Sequence, residues 1–321
     1  MLLKVENLRS FFFLDEGILR AVDDISFHVD EEETVALVGE SGCGKTIAAL
    51  SIINLIPSPG RVVNGKIYFN GQDLLKMNPE QMRQTRGKEI GMVFQEPTMA
   101  LNPVFTVGYQ IAEVIRLHMG MDVKQAERET IRLLGETGIP EPEKRFKAYP
   151  FELSGGMQQR ALIAMAVSCH PRLLIADEPT TALDVTVQIG IIDLLRHLQK
   201  LYDMAILLIT HDLGVVAEMA DRIMVMYSGK IVENAPAVDI FQEPKHPYTK
   251  GLLGSIPKLG KGSKNPLQGI PGAVPDFLDL PPGCTFYPRC DLGDRDCRKK
   301  IPKLMAVNYT RQSACFKYYK M

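Results

Sequence analysis

No stretch of this 321-residue sequence approaches the roughly 18 consecutive apolar residues that a membrane helix requires. A chain read this way does not cross a bilayer by itself, and any membrane association has to come through a partner. An excess of charge is also missing: 37 Lys and Arg against 38 Asp and Glu leave a formal net charge of -1. That argues against a broad electrostatic footprint for nucleic acid and leaves room only for a local basic patch. Acidic residues come early at the N-terminus, and no signal-peptide pattern stands there, so a cytosolic protein is expected. With 45% hydrophobic and 23% charged residues, the composition is that of a globular protein. The length exceeds one average domain and allows a substantial core.

Cysteine is scarce over most of the chain. Cys43 and Cys169 read as isolated thiols, while Cys284, Cys290, Cys297 and Cys315 crowd into the C-terminal tail. In a reducing cytosol such clustering favours a metal site over disulfides. The intervals are five, six and seventeen residues, so the closely spaced pair usual for structural zinc is absent, and typical ferredoxin spacing is absent too. Spacing alone therefore leaves the metal unidentified. Beyond residue 235 prolines and glycines become dense, helix and strand patterns fade, and Asn265 to Pro282 reads largely as loop. A metal shared by four thiolates is the expected source of order there.

What is present centres on Gly39-Glu40-Ser41-Gly42-Cys43-Gly44-Lys45-Thr46. This octet follows an apolar β-branched run, Thr34 to Val38, and precedes a helical segment, Ile47 to Leu55. Strand, glycine-rich turn and helix are the context that the phosphate-loop motif requires. The glycines let successive N–H groups point into one anion-sized hollow, and the helix N-terminus adds unpaired donors. Lys45 would reach the β- and γ-phosphates and the Thr46 hydroxyl would ligate Mg²⁺. The motif predicts a nucleoside triphosphate site.

Around this motif the chain alternates strands and helices, which predicts an α/β core with a mainly parallel sheet. Leu3 to Leu8 and Ile25 to Val29 read as short strands, with Phe11, Phe12 and Phe13 between them. Adjacent aromatics on a strand cannot all face one core, so at least one is exposed or taken by a partner. Lys66 to Phe69 and Ile90 to Phe94 read as strands, the latter ending at Gln95. Val107 to Leu117 and Lys124 to Leu134 carry apolar residues at helical spacing, a helical insertion after Gln95. Ser154-Gly155-Gly156 ahead of Ala161 to Val167 forms a helix start with open N–H groups, taken alone an ordinary N-cap. Leu173 to Ala176 is a buried-type strand ending in Asp177 and Glu178, the position where Mg²⁺ and an attacking water are handled. A helix over Val187 to Leu201, a strand over Ala205 to Thr210 ending at His211, and a hairpin over Ile223 to Tyr227 and Lys230 to Glu233 complete the pattern. By itself His211 carries little weight.

Together, the phosphate loop, Gln95, Leu153 to Gln158, the Asp177-Glu178 pair, Ala182-Leu183-Asp184 and His211 resemble the ATP-binding subunit of an ATP-binding cassette (ABC) importer for dipeptides or oligopeptides. Leu101-Asn102-Pro103, His246-Pro247-Tyr248-Thr249 and Gly283-Cys284 with Phe286 and Pro288-Arg289-Cys290 are similar to the peptide and nickel importer group, and the likeness is closest to its D-type ATPase subunit. The resemblance implies a RecA-like parallel-sheet core, an antiparallel β subdomain and a helical subdomain near 97–160, all within 1–235, with a loop-rich metal-binding domain over 236–321.

The resemblance also implies roles. Gly39 to Ile47 would hold ATP, with Lys45 on its phosphates and Phe12 stacked on adenine. Thr46, Gln95 and Asp177 would serve Mg²⁺, Glu178 would be the general base, and His211 would contact the γ-phosphate. Ser154, Gly155, Gly156 and Gln158 would serve the partner's ATP, and Asp184 would couple two sites. Cys284, Cys290, Cys297 and Cys315 would hold a [4Fe–4S] cluster, with zinc as the alternative. Glu96, Ala100 and Ile47 depart from the residues common in relatives without removing a catalytic group. Expected partners are a second, related ATPase subunit, two transmembrane permeases and, indirectly, an extracytoplasmic peptide-binding protein, at the cytoplasmic face of the membrane and with no nucleic acid. A nickel or other small-solute importer, a soluble ABC ATPase and an iron–sulfur redox sensor are the alternatives.

Overall fold

The computed structural model describes residues 1–181, 183–255 and 269–319. Ala182 and positions 265–268 of the expected tail loop therefore lie outside the described residues. The chain forms two compact units, one of Met1–Leu2, Val29–Glu33 and Lys76–Leu208, the other of Leu3–His28, Thr34–Leu75 and Ile209–Met321.

In the first unit, strands Ile90–Val93 and Leu173–Asp177 pair in parallel, with Ile90 opposite Leu173 and Val93 opposite Ala176. Strand Ala205–Thr210 neighbours Leu173–Asp177 on its other side. Every residue of Leu173–Asp177 and of Ala205–Thr210 is buried, which is why both read as unbroken apolar runs rather than alternating ones. Helices Val107–Met119, Val123–Glu136 and Gly155–Val167 share a core of Val107, Ile111, Ile115, Leu133, Leu134 and Ala161. Thr106 and Asp122 cap the first two by accepting from the N–H of Tyr109 and of Gln125, and Gly120 ends the first at φ 67°. An unexpected helix, Pro79–Lys88, carries few apolar residues. Its signal was in its start, where Asn78 and Gln81 form a capping box around Pro79.

The second unit holds a four-stranded sheet ordered Gly17–Val29, Leu3–Leu14, Gly60–Phe69, Gln72–Asp73. Leu3–Leu14 runs antiparallel to Gly60–Phe69. These strands are longer than expected, and Phe11, Phe12 and Phe13 lie on the first of them rather than between two. The alternation is broken by Asn7 and Asp24, both in left-handed conformation, and by a register irregularity between Glu6 and Arg9. The unit's other strands run in the order Met305–Ala306, Gln312–Ser313, Lys230–Pro236, Arg222–Tyr227, Thr34–Val38. Thr34–Val38 pairs with Arg222–Tyr227 in parallel, and the pairs on the far side are antiparallel, so this part of the sheet is mixed. Ser228 and Gly229, both at positive φ, make the tight hairpin turn.

The tail has a source of order beyond its cysteines. Gln312–Ser313 pairs with Lys230–Pro236 and Met305–Ala306 adds the edge strand, and Phe286 and Tyr248 pack with Tyr227, Val225, Ala235 and Ile240 in one buried core. Phe286 meets Tyr227 edge-on, with ring centroids 5.2 Å apart.

Candidate nucleotide site

The phosphate loop connects Thr34–Val38 to helix Lys45–Ile52, which begins and ends earlier than expected. Asn54, at φ 51°, closes the turn after it. Gly44 is the N-cap at φ 106°, and no side chain caps the helix, so its first N–H groups keep their donors for another acceptor. A Cβ at Gly44 would lie 2.1 Å from the Ala21 carbonyl oxygen, and one at Gly39 would lie 2.2 Å from that of Met226. Neighbouring backbone thus fixes both glycines. Lys45 is buried and its ammonium donates to the carbonyls of Gly39 (2.9 Å) and Glu40 (3.1 Å). Of the three aromatics, Phe13 is exposed beneath the Arg61 guanidinium, 4.3 Å from its centroid, while half-buried Phe12 lies over Gly60.

Two residues that carried no role in the sequence reading hold this loop. The Arg289 guanidinium donates two parallel bonds to the Glu40 carboxylate, at 2.8 and 3.0 Å. The Glu40 N–H donates to the Tyr248 hydroxyl at 2.8 Å. Glu40 holds Arg289 firmly in its charged form, and burial pushes the Tyr248 phenol up. Both residues stood out in the sequence as importer-group marks, but separations of 249 and 208 residues hid their contact with the loop.

In the first unit, Asp177 is buried at the end of its strand. Glu178 follows with φ 47°, a left-handed conformation that costs an L-residue about 1–2 kcal/mol. Its Oε2 accepts from the Gln95 amide at 3.0 Å and from the Thr181 hydroxyl at 2.7 Å. The structure thus brings Gln95 and Glu178 together. His211, in the second unit, is exposed just beyond Thr210.

Ser154 caps helix Gly155–Val167 by accepting from the Met157 N–H, and Ser154 and Gly155 are exposed. Gly156 needs its missing side chain, because a Cβ would come within 2.8 Å of Val187. Gln158, expected to serve a partner's nucleotide, is buried, with its amide donating to the carbonyls of Pro150 (2.8 Å) and Leu153 (3.2 Å). It shapes the turn that presents Ser154. Asp184 caps helix Val185–Tyr202 through the Val187 N–H at 3.0 Å.

Cys284, Cys290, Cys297 and Cys315 all line one small cavity with Phe286, Leu292 and Phe316. Burial raises all four thiols, Cys284 to about 11. Gly283 lies so close to this loop that a Cβ would meet the Cys297 carbonyl oxygen at 2.3 Å. Among the described residues, however, no three His, Cys, Asp or Glu side chains converge on one metal position. The expected metal-binding domain is therefore not shown, although the four thiols line one cavity.

Among the described residues, no helix is long and apolar enough to cross a membrane. Residues 22–181 match the family model of the ABC transporter, and residues 232–297 match that of the oligopeptide/dipeptide transporter C-terminal region. The oligopeptide transport ATP-binding protein AppD of Bacillus subtilis is 48% identical over 318 residues, covering 99% of this chain and 97% of its own. The dipeptide transport ATP-binding protein DppD of Escherichia coli is 48% identical over 314 residues, covering 98% and 96%. The dimeric post-hydrolysis structure of the ATP-binding cassette MJ0796, bound to ADP and Pi, has a TM-score of 0.66 at 25% identity, over 73% of this chain and 98% of that one. The chain therefore belongs to the ABC transporter family, among the ATP-binding proteins of oligopeptide and dipeptide transport.

Proposed function

We propose that this chain binds and hydrolyses ATP to power the import of di- or oligopeptides through membrane permease subunits. The observation that carries the reading is the near-full-length identity to oligopeptide and dipeptide transport ATP-binding proteins. The phosphate loop supports it, with an uncapped helix start ready for phosphate oxygens.

In this reading Gly39 to Ile47 cradle the phosphates, and Lys45 exchanges its loop carbonyls for phosphate oxygens. Phe12 stacks on the adenine, and His211 contacts the γ-phosphate. Glu178 takes the proton of the attacking water, and the Gln95 and Thr181 bonds hold its carboxylate in one orientation. The Asp177 carboxylate, the Thr46 hydroxyl and the Gln95 amide oxygen are the hard oxygen donors Mg²⁺ takes, and the ion would neutralise charge on the β- and γ-phosphates. Little covalent work falls to the protein, so rate comes from charge stabilisation and in-line positioning.

Exposed Ser154 and Gly155 support a role toward the nucleotide of a second, related ATPase subunit, with Asp184 coupling the two sites. Dimer closure would then complete each site and drive two permeases between conformations at the cytoplasmic face. An extracytoplasmic peptide-binding protein would deliver the solute. In the tail, four soft thiols facing one cavity suit a [4Fe–4S] cluster, with zinc the other option, and such a group would supply cross-links to the tail. Copurification of the complex, with identification of what its binding protein captures, tests the solute. Di- or oligopeptides are expected, whereas nickel or another small solute would overturn that assignment.

A further inference from the structure

Side chains far from the motif hold the phosphate loop at Glu40. Glu40 is fixed twice over: its N–H by the Tyr248 hydroxyl at 2.8 Å, its carboxylate by the Arg289 fork at 2.8 and 3.0 Å. Neither anchor has slack. Tyr248 is fully buried, packed against Tyr227 with centroids 4.6 Å apart. The Arg289 side chain is 4% exposed and also donates to the carbonyls of Pro271 (2.9 Å) and Ile270 (3.3 Å), with its guanidinium 5.8 Å from the Tyr227 ring centroid.

The chemistry of this arrangement is specific. An unpaired carboxylate at Glu40 would stand within the phosphate-binding turn and repel the polyanion that the turn must hold. The Arg289 guanidinium cancels that charge with planar, two-point geometry, which an ammonium would not match. The Tyr248 bond meanwhile fixes the plane of the Gly39–Glu40 peptide, whose carbonyl receives the Lys45 ammonium at 2.9 Å. A loop already set in its binding conformation loses less freedom when phosphate arrives.

We infer that Arg289 and Tyr248 are positioning residues for the nucleotide site: the C-terminal region sets phosphate affinity by neutralising and orienting Glu40. The inference rests on Gly39 to Thr46 being the ATP site and adds a dependence that the motif does not contain. Because Arg289 directly precedes Cys290, the brace also ties the loop to the cysteine-bearing turn.

A double-mutant cycle on the full chain tests it, with the affinity of MgATP read by displacement of a fluorescent ATP analogue. Arg289→Gln should weaken binding about ten-fold, and Tyr248→Phe about three-fold, the losses expected for one charged and one neutral hydrogen bond. Adding Glu40→Gln to Arg289→Gln should restore most of the loss, because the repelling charge is gone; a purely structural role for Arg289 would not give that rescue. Unchanged affinity in Arg289→Gln, or additive losses in the double variant, would overturn the inference. Should Arg289→Gln fail to fold, Tyr248→Phe and Arg289→Lys decide it: wild-type affinity in both rejects the brace, weakened affinity in both supports it. Lys45→Ala separates the two readings. If wild-type chain binds no nucleotide, or Lys45→Ala binds it as well as wild type, the ATP-site reading itself fails.

Discussion

The Gln95 side-chain amide donates to the Glu178 carboxylate at 3.0 Å across 83 residues of sequence. Glu178 reaches that position from a left-handed backbone conformation, and the Thr181 hydroxyl holds the same oxygen at 2.7 Å. Strain of this kind persists where surrounding bonds over-determine it. The Gln95 and Thr181 donors hold the Glu178 carboxylate in one orientation, and a fixed orientation is what the proposed general base requires.

Glu178→Gln should therefore lower steady-state ATP hydrolysis by about 10² or more while MgATP binding is kept, as loss of a general base typically does. Gln95→Ala, which leaves the Thr181 bond in place, should cost less, with the loss in kcat rather than in KM. ATPase assays on the assembled transporter check both, and a wild-type rate in Glu178→Gln would remove the base assignment.

Gly44→Ala should impair nucleotide binding rather than the chemical step. Its φ of 106° costs an L-residue about 1–2 kcal/mol, before the 2.1 Å approach of a Cβ to the Ala21 carbonyl. Lys45→Ala removes the ammonium itself. Equilibrium binding of MgATP should weaken about ten-fold or more in each, and retention of wild-type affinity would contradict the loop assignment.

The isolated chain should be a weak ATPase whose specific activity rises with protein concentration. The exposed Ser154 helix start is proposed to act on a partner's nucleotide, so a monomer would hold half of the donors each site needs. Activity measured across a dilution series, with mass determined at each point, tests this. Full, concentration-independent turnover by a proven monomer would refute it.

Anaerobic purification should give a brown protein with broad absorption near 400 nm and about four irons per chain, the stoichiometry of a [4Fe–4S] cluster. Cys290→Ser should bleach it and loosen the tail. Nucleotide should still bind, since the loop is built from other residues, but less tightly through the neighbouring Arg289. A colourless anaerobic preparation with one zinc per chain would replace the cluster by zinc. An apo protein with an unchanged tail would remove the metal altogether.

Elements whose chemistry is local in sequence were legible from it. The phosphate loop, the buried strands Leu173–Asp177 and Ala205–Thr210, and the amphipathic helices Val107–Met119 and Val123–Glu136 each carry their signal within about a dozen residues. The N-terminal strands are longer than their period-two pattern shows, because Asn7 and Asp24, in left-handed conformation, interrupt it. Helix Pro79–Lys88 is not legible from hydrophobic periodicity, since its polar sequence has no apolar stripe and only its capping box marks it. The burial of Gln158 is not legible from the motif, which states adjacency and not which way a side chain turns. Arg289 and Tyr248 were visible as residues but not as partners of Glu40, since nothing in a linear sequence pairs positions more than two hundred residues apart.

ATP turnover at this chain is proposed to drive peptide across a membrane. Uptake of a labelled dipeptide into proteoliposomes holding the reconstituted transporter and its binding protein, with wild-type or Glu178→Gln chain, tests it directly. ATP-dependent accumulation is expected with the wild type and its loss with Glu178→Gln, although both bind MgATP. Equal uptake with the two chains, or uptake that needs no ATP, would contradict it.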